Sequence, residues 1–273
     1  PRSRMEQDLR ALTDEIGGRV TGSAASERSL LWAVEAFRRA GVDAVGLESY
    51  PAPSKWEAEA ASASLLEPEK IPLRVVSLGL APSTAGPIVA PLLDAGEGRA
   101  EDFDRLGARA RGAVLLVRTK PMTSFEDLFA EYLGGPAILQ RASDGGAAAL
   151  LFVSTRPRDL LYRHTITWGP IAPIPMAQVA REQGLRLVRL AEKGGNLKIS
   201  LDLRNRVGGP WQGRNVVAEI RGREKPEEIV LLAASGAAAV AAGAAEPASA
   251  ARAGGKAASA AMPASAATHA RAR

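Results

Sequence analysis

Met5, Leu9, Leu12 and Ile16 recur at steps of four, three and four, which puts them on one buried face of a helix that Gly17 is suited to end. A second amphipathic helix is predicted from Ser26 to Ala40, with Leu30, Leu31, Val34 and Phe37 on its buried face and Gly41 as its stop. Val42–Tyr50 then reads as a strand closed off by Pro51 and Pro53. A helix–helix–strand unit of this kind cannot bury its apolar faces alone, so it must pack on something later in the chain.

From Trp56 to Leu203 the pattern changes to short apolar runs between Gly/Pro turns. Val75–Leu80, Ile88–Leu93, Ala113–Val117, Ala148–Val153 and Ile174–Val179 predict strands. Pro136, with Ala137–Asp144 after it, frames a short helix leading into Ala148–Val153, and an amphipathic helix is expected around Glu182–Lys193. Leu197, Ile199, Leu201 and Leu203 alternate with polar residues, as a half-buried strand should. After the break at Val207-Gly208-Gly209-Pro210, Asn215–Ile220 and Glu228–Leu232 read as two strands joined by the charged turn Arg221–Glu227. The run Ile229-Val230-Leu231-Leu232 suits an interior strand.

Composition divides this picture in two. Of the last 41 residues, Ala233–Arg273, 22 are alanine and only Val240 and Met262 are larger apolar residues, too little to offset an ordering entropy of about 1–2 kcal/mol per residue. That stretch is expected to be disordered. It also holds +3 of the formal net charge of +5, so residues 1–232 are nearly balanced and no nucleic-acid partner is indicated. No apolar run is long enough to span a bilayer, and Pro1-Arg2-Ser3-Arg4 is followed by Glu6 and Asp8 rather than by a hydrophobic signal segment.

Cysteine is absent and His164 and His269 are the only histidines, which removes thiolate chemistry and leaves little imidazole for a metal or a nucleophile–base pair. Gly17-Gly18-Arg19-Val20-Thr21-Gly22-Ser23 has Ser23 where a phosphate-binding loop needs Lys, and a helix rather than a strand before it, so it reads as a helix stop and turn. His164, in the polar–aromatic loop Tyr162–Pro175, has no nucleophile or second imidazole at a useful spacing. Asp94, Glu97, Glu101, Asp102 and Asp104 lack a calcium-loop register and read as a solvated loop entering a helix. Trp32, Trp56, Trp168 and Trp211 are dispersed, as core or interface residues are.

Taken in order, Leu12–Ser23, the helix end Glu35–Gly41 and Leu47-Glu48-Ser49-Tyr50 resemble the opening of the carboxypeptidase Q-like di-zinc exopeptidases. Ala108–Thr119, Arg141–Val153, and Ile174-Pro175-Met176 with Val179-Ala180-Arg181-Glu182 are similar to segments of the protease-associated domain inserted in that family. Asn215–Ile220 followed by Glu228–Leu232 resembles the return to the catalytic sheet. The family's first zinc ligand would follow directly, but Ser235 holds that position and Ala237 the neighbouring Asp position; Glu246 and His269 stand isolated beyond them. The resemblance therefore implies two zinc ions and a peptide substrate for the intact family, and no catalytic or metal-binding residue in this chain. A tail rich in Ala, Arg, Gly, Pro and Ser is what a GC-rich gene yields when read out of frame; a truncated paralogue is the other explanation.

The expected fold is α/β with α+β: residues 1–55 and 208–232 form an incomplete mixed-sheet exopeptidase domain, 56–207 an inserted protease-associated domain, and 233–273 a disordered tail. The expected function is that of a truncated zinc exopeptidase without activity of its own, secreted or periplasmic by resemblance. The alternative is a binding module whose protease-associated domain takes a peptide or protein partner through the Tyr162–Pro175 loop. Uncovered apolar faces around Leu30, Val34, Phe37 and Ile229–Leu232 predict homo-oligomers or aggregation.

Overall fold

The structure is a computed structural model that describes residues 4–162 and 170–232, apart from the side chains of Phe125 and Ala130. The expected disordered tail, Ala233–Arg273, lies outside the described residues, as does His164. The chain forms two compact units, one spanning Glu57–Val207 and the other combining the residues up to Trp56 with those from Gly208 onward.

The larger unit is built on strands β2 (Lys55–Glu67), β3 (Ile71–Leu73), β4 (Val75–Ser77), β5 (Ile88–Asp94), β6 (Val114–Val117), β7 (Ala149–Val153), β8 (Met176–Val179) and β9 (Lys198–Gly208). They form one mixed sheet in the order β3-β2-β9-β5-β6-β7-β8-β4. The central four are parallel, with Leu92 beside Val114, Leu115 beside Leu150, and Leu151 beside Ala177. Parallel strands need crossovers: α3 (Ala100–Leu106) lies between β5 and β6, and α4 (Phe125–Asp144) between β6 and β7. Leu106, Leu139 and Ala142 of these helices join Leu115, Leu150, Phe152 and Met176 in the core on one face. On the other, Leu187 and Val188 of α5 (Arg181–Glu192) pack with Leu116, Leu151, Val153 and Ile199. Gly184 brings α5 close to the sheet, since a Cβ there would sit 2.9 Å from the Val153 side chain.

Burial on both faces is why Val114–Val117 and Ala149–Val153 are apolar at every position, and each fully buried aliphatic side chain there contributes on the order of 2 kcal/mol. Two elements differ from expectation. α4 begins eleven residues earlier than its expected start, capped by Ser124 and Asp127, and carries Pro136 inside it rather than at its first turn. β2, long and rich in Ala and Glu, carries no strong strand pattern; Trp56, Ala63 and Leu65 anchor it by burial.

The smaller unit starts with α1 (Met5–Arg10), which widens into π-type turns over Ala11–Ile16 and ends at Gly17, whose φ of 80° suits glycine. The Arg19 guanidinium donates to the carbonyls of Leu12 and Gly17 at this end. The expected buried face of this helix is not buried: Met5 and Leu9 are exposed and Leu12 and Ile16 only half-buried. α2 (Ala24–Ala40) is capped by Ser23, whose Oγ accepts from the Ser26 N–H at 3.1 Å. Of its expected core residues Val34 is buried and Leu30 half-buried, whereas Leu31 and Phe37 are exposed. α2 packs on a two-stranded antiparallel ribbon of β1 (Ala44–Ala52) and β10 (Trp211–Glu219), in which Leu47 pairs with Val216.

Pro51 lies inside β1, opposite Gln212, rather than ending the strand; a two-stranded ribbon has an open edge where a missing N–H costs nothing. Gly213 makes room for the Tyr50 ring across the ribbon. Glu228–Leu232 does not form the expected interior strand. Only Val230 makes an isolated bridge, and Ile229, Val230, Leu231 and Leu232 are 60–81% exposed, because no described strand lies alongside to pair with them.

Candidate functional site

The carboxyl ends of the parallel strands, where open α/β sheets place their ligands, carry the richest polar chemistry in the larger unit. The chain leaves β7 through Ser154, whose Oγ accepts from Arg156 N at 3.2 Å and donates to Leu160 O at 2.9 Å. Arg158 and Asp159 then take left-handed conformations, with φ of 64° and 54°. Non-glycine residues adopt this region only at a cost of about 1 kcal/mol or more, so something must hold them there. The Glu182 carboxylate does so, accepting from Arg158 N at 2.7 Å and Asp159 N at 3.2 Å, and these N–H groups hold its pKa below the usual carboxylate range. Arg181, beside it, donates to the Thr119 carbonyl at 3.1 Å and the Ser154 carbonyl at 2.9 Å, tying the ends of β6 and β7 to the start of α5.

This fixed loop presents Arg156 and Tyr162 to α4. The Arg156 guanidinium lies 5.2 Å from the centre of the Tyr162 ring, and the Tyr162 hydroxyl meets that of Tyr132 at 3.5 Å. Burial raises the Tyr132 phenol well above its ordinary pKa. Its neighbour Glu131 is pushed up to about 7 by burial, against the lowering influence of Arg156 and Thr155. Gln178 of β8 is fully buried and its Oε1 accepts from Tyr162 N at 3.1 Å. The result is a half-buried shelf of two tyrosines, a cation and a carboxyl group whose pKa is raised to about 7.

Sequence reasoning reached only one border of this shelf, through the Tyr162–Pro175 loop. Glu131 and Tyr132 lie 31 and 30 residues before Tyr162, in a stretch assigned to no element. The signal that identifies them is Ser124 with Asp127, a helix-start pair that extends α4 back over both.

Of the other singled-out residues, Asp94, Glu97, Asp102 and Trp211 have structural partners, and Trp168 lies outside the described residues. Asp94 is paired with Arg118, which also reaches Glu192 at 2.8 Å. Glu97 pairs with Arg99, while Asp102 caps α3 and meets Arg105 at 3.0 Å. The turn Gly17–Ser23 leads into the capped start of α2, where Gly22 abuts the Trp211 ring. Trp56 is fully buried, and Trp211 donates its indole N–H to the Ser54 carbonyl at 3.0 Å. Ser235, Ala237, Glu246 and His269 lie outside the described residues. Among the described residues no three His, Asp or Glu side chains converge. No described helix is long and apolar enough to cross a membrane.

No family model matches the chain. Its architecture is shared with M28 peptidases: a peptidase M28 precursor from Shewanella amazonensis superposes with a TM-score of 0.69 at 24% identity, covering 84% of this chain and 53% of that one. A zinc aminopeptidase from Bacillus subtilis gives a TM-score of 0.56 at 18% identity over 81% of this chain and 47% of that one. By sequence the chain is 28% identical to mouse carboxypeptidase Q over 234 residues, 84% of this chain and 48% of that protein. It is thus a homologue of the carboxypeptidase Q-like exopeptidases, and it spans about half the length of the relatives it matches.

Proposed function

We propose that this chain is one half of a carboxypeptidase Q-like zinc exopeptidase, peptide-hydrolysing in the intact family and exported from the cytoplasm, and that the 273-residue polypeptide does not itself hydrolyse peptides. The observation that carries this reading is the shortage of donors. With no Cys and only His164 and His269 in the whole sequence, and with no three His, Asp or Glu side chains converging among the described residues, donors for a zinc ion are scarce. Zinc analysis and an exopeptidase assay on the purified chain test it. Less than stoichiometric zinc and no chelator-sensitive hydrolysis are expected; stoichiometric zinc with activity abolished by a chelator overturns the reading.

The shelf at the ends of β7 and β8 favours a second reading, in which Glu57–Val207 acts as a protease-associated domain that binds a peptide. Displayed peptide libraries selected on the full chain test it: retained peptides should lose binding to a Tyr132→Ala, Tyr162→Ala variant, and binding indifferent to both changes defeats this reading.

A further inference from the structure

Two buried side chains at the carboxyl ends of β7 and β8 hold hydrogen-bonding capacity that the fold leaves unused. Gln178 is fully buried, and its Oε1 accepts from Tyr162 N at 3.1 Å, which fixes the other end of the amide as a donor; Nε2 meets no acceptor among the described residues. Thr155 is 5% exposed, and its Oγ, beside the Glu131 carboxyl, likewise forms no hydrogen bond among them. Leaving a buried polar group unsatisfied is costly, so two at one end of a sheet point to an acceptor brought from outside. The Arg156 guanidinium faces the same carboxyl group as Thr155 and lies 5.2 Å from the centre of the Tyr162 ring. Tyr132 and Tyr162 are half-buried, and their hydroxyls meet at 3.5 Å, long beside the roughly 2.7–2.8 Å of a firm O–H···O bond, so a ligand can part them.

The chemistry of these groups narrows the ligand. An amide NH2, a hydroxyl and a guanidinium all donate, so what they fit brings acceptors. The cation favours negative charge, because a hydrogen bond to an ionised acceptor is roughly twice as strong as a neutral one. Glu131 does not cancel this preference in mild acid, since burial pushes its pKa up to about 7 and towards the uncharged form.

We propose that the shelf binds a carboxylate of a peptide, terminal or side-chain, through Gln178 Nε2, Thr155 Oγ and the Arg156 guanidinium. This rests on reading the shelf as a peptide site. The test is calorimetric titration of the full chain at about pH 6 with acetyl-tetraalanine bearing a free C-terminus, the same peptide amidated, and the amidated peptide with Asp as its third residue. At least one acidic peptide is expected to bind at least about 10-fold tighter than the neutral one, and which of them does so tells a terminal from a side-chain carboxylate. Thr155→Val, which keeps the shape and removes the hydroxyl, and Arg156→Gln should each reduce this preference at least about 3-fold. Gln178→Glu, which keeps an acceptor for Tyr162 N and turns the donor into a second acceptor, should abolish it. Arg204→Gln, at an exposed position on β9, is the control and should leave it intact. Equal binding of acidic and neutral peptides, or a preference unchanged in the three shelf variants, overturns the proposal; if that binding is still lost in the Tyr132→Ala, Tyr162→Ala variant, the peptide reading itself stands. Binding of none of the peptides overturns both.

Discussion

Val114–Val117 and Ile229–Leu232 are both four-residue aliphatic runs, yet the first is at most 1% exposed and the second 60–81%. The difference lies in their neighbours. β6 has β5 and β7 on its edges, α3 and α4 on one face and α5 on the other. The later run has none of these among the described residues. A continuous apolar run states what a segment needs, and whether the need is met depends on the rest of the polypeptide.

The largest contrast is expected between core truncations in the two units. Leu115→Ala in β6 should cost about 2–5 kcal/mol in urea unfolding of the larger unit, through lost burial and a cavity. Glu131 offers a subtler probe. Its pKa is raised from near 4.5 to about 7, so the folded unit is favoured where the group is protonated: stability is fullest below about pH 4.5 and falls as pH rises through about 7. Glu131→Gln should flatten this dependence and stabilise the unit by about 2–3 kcal/mol at pH 8, measured by thermal unfolding across pH. In the smaller unit, Gly213→Ala forces a methyl group into the Tyr50 ring and should cost about 1–2 kcal/mol, visible as faster amide exchange along β1 and β10. Leu231→Ser should change the stability of the chain by less than about 0.5 kcal/mol; a larger loss would mean that the run is covered and would dissolve the contrast.

Limited proteolysis sharpens the same comparison. A resistant core near residues 57–207 is expected, with early cleavage between Arg221 and Glu228, where the chain is exposed and outside any strand. Equal resistance of both units would remove the distinction.

Where side-chain pattern alone decides an element, the sequence was enough. The buried runs of β6 and β7 and the alternation Leu197-Ile199-Leu201-Leu203 of β9 appear where expected, because each depends on a face that the fold does cover. Where partners decide, it was not. β2 is made of residues that favour helix and becomes a strand only because Trp56 and Leu65 are drawn into the core, while Glu228–Leu232 has strand-forming residues and, among the described residues, no strand to pair with. The first half of α4 was hidden by Gly134, Gly135 and Pro136, which resemble a helix boundary, and Glu131 and Tyr132 of the shelf were hidden with it. The strained pair Arg158-Asp159 left no local trace, since the carboxylate that holds it belongs to Glu182, more than twenty residues later.

β2 and β9 are adjacent, and Arg206 near the end of one meets Glu57 near the start of the other at 3.2 Å. The polypeptide therefore goes into the eight-stranded body and comes out of it at neighbouring points. A stretch of some 150 residues whose two ends lie so close is expected to behave as a cassette: its removal, with the cut ends joined by a short turn, should not stretch the backbone it leaves behind. Gain or loss of the whole body by a single insertion or deletion would then leave the ribbon of β1 and β10 in register.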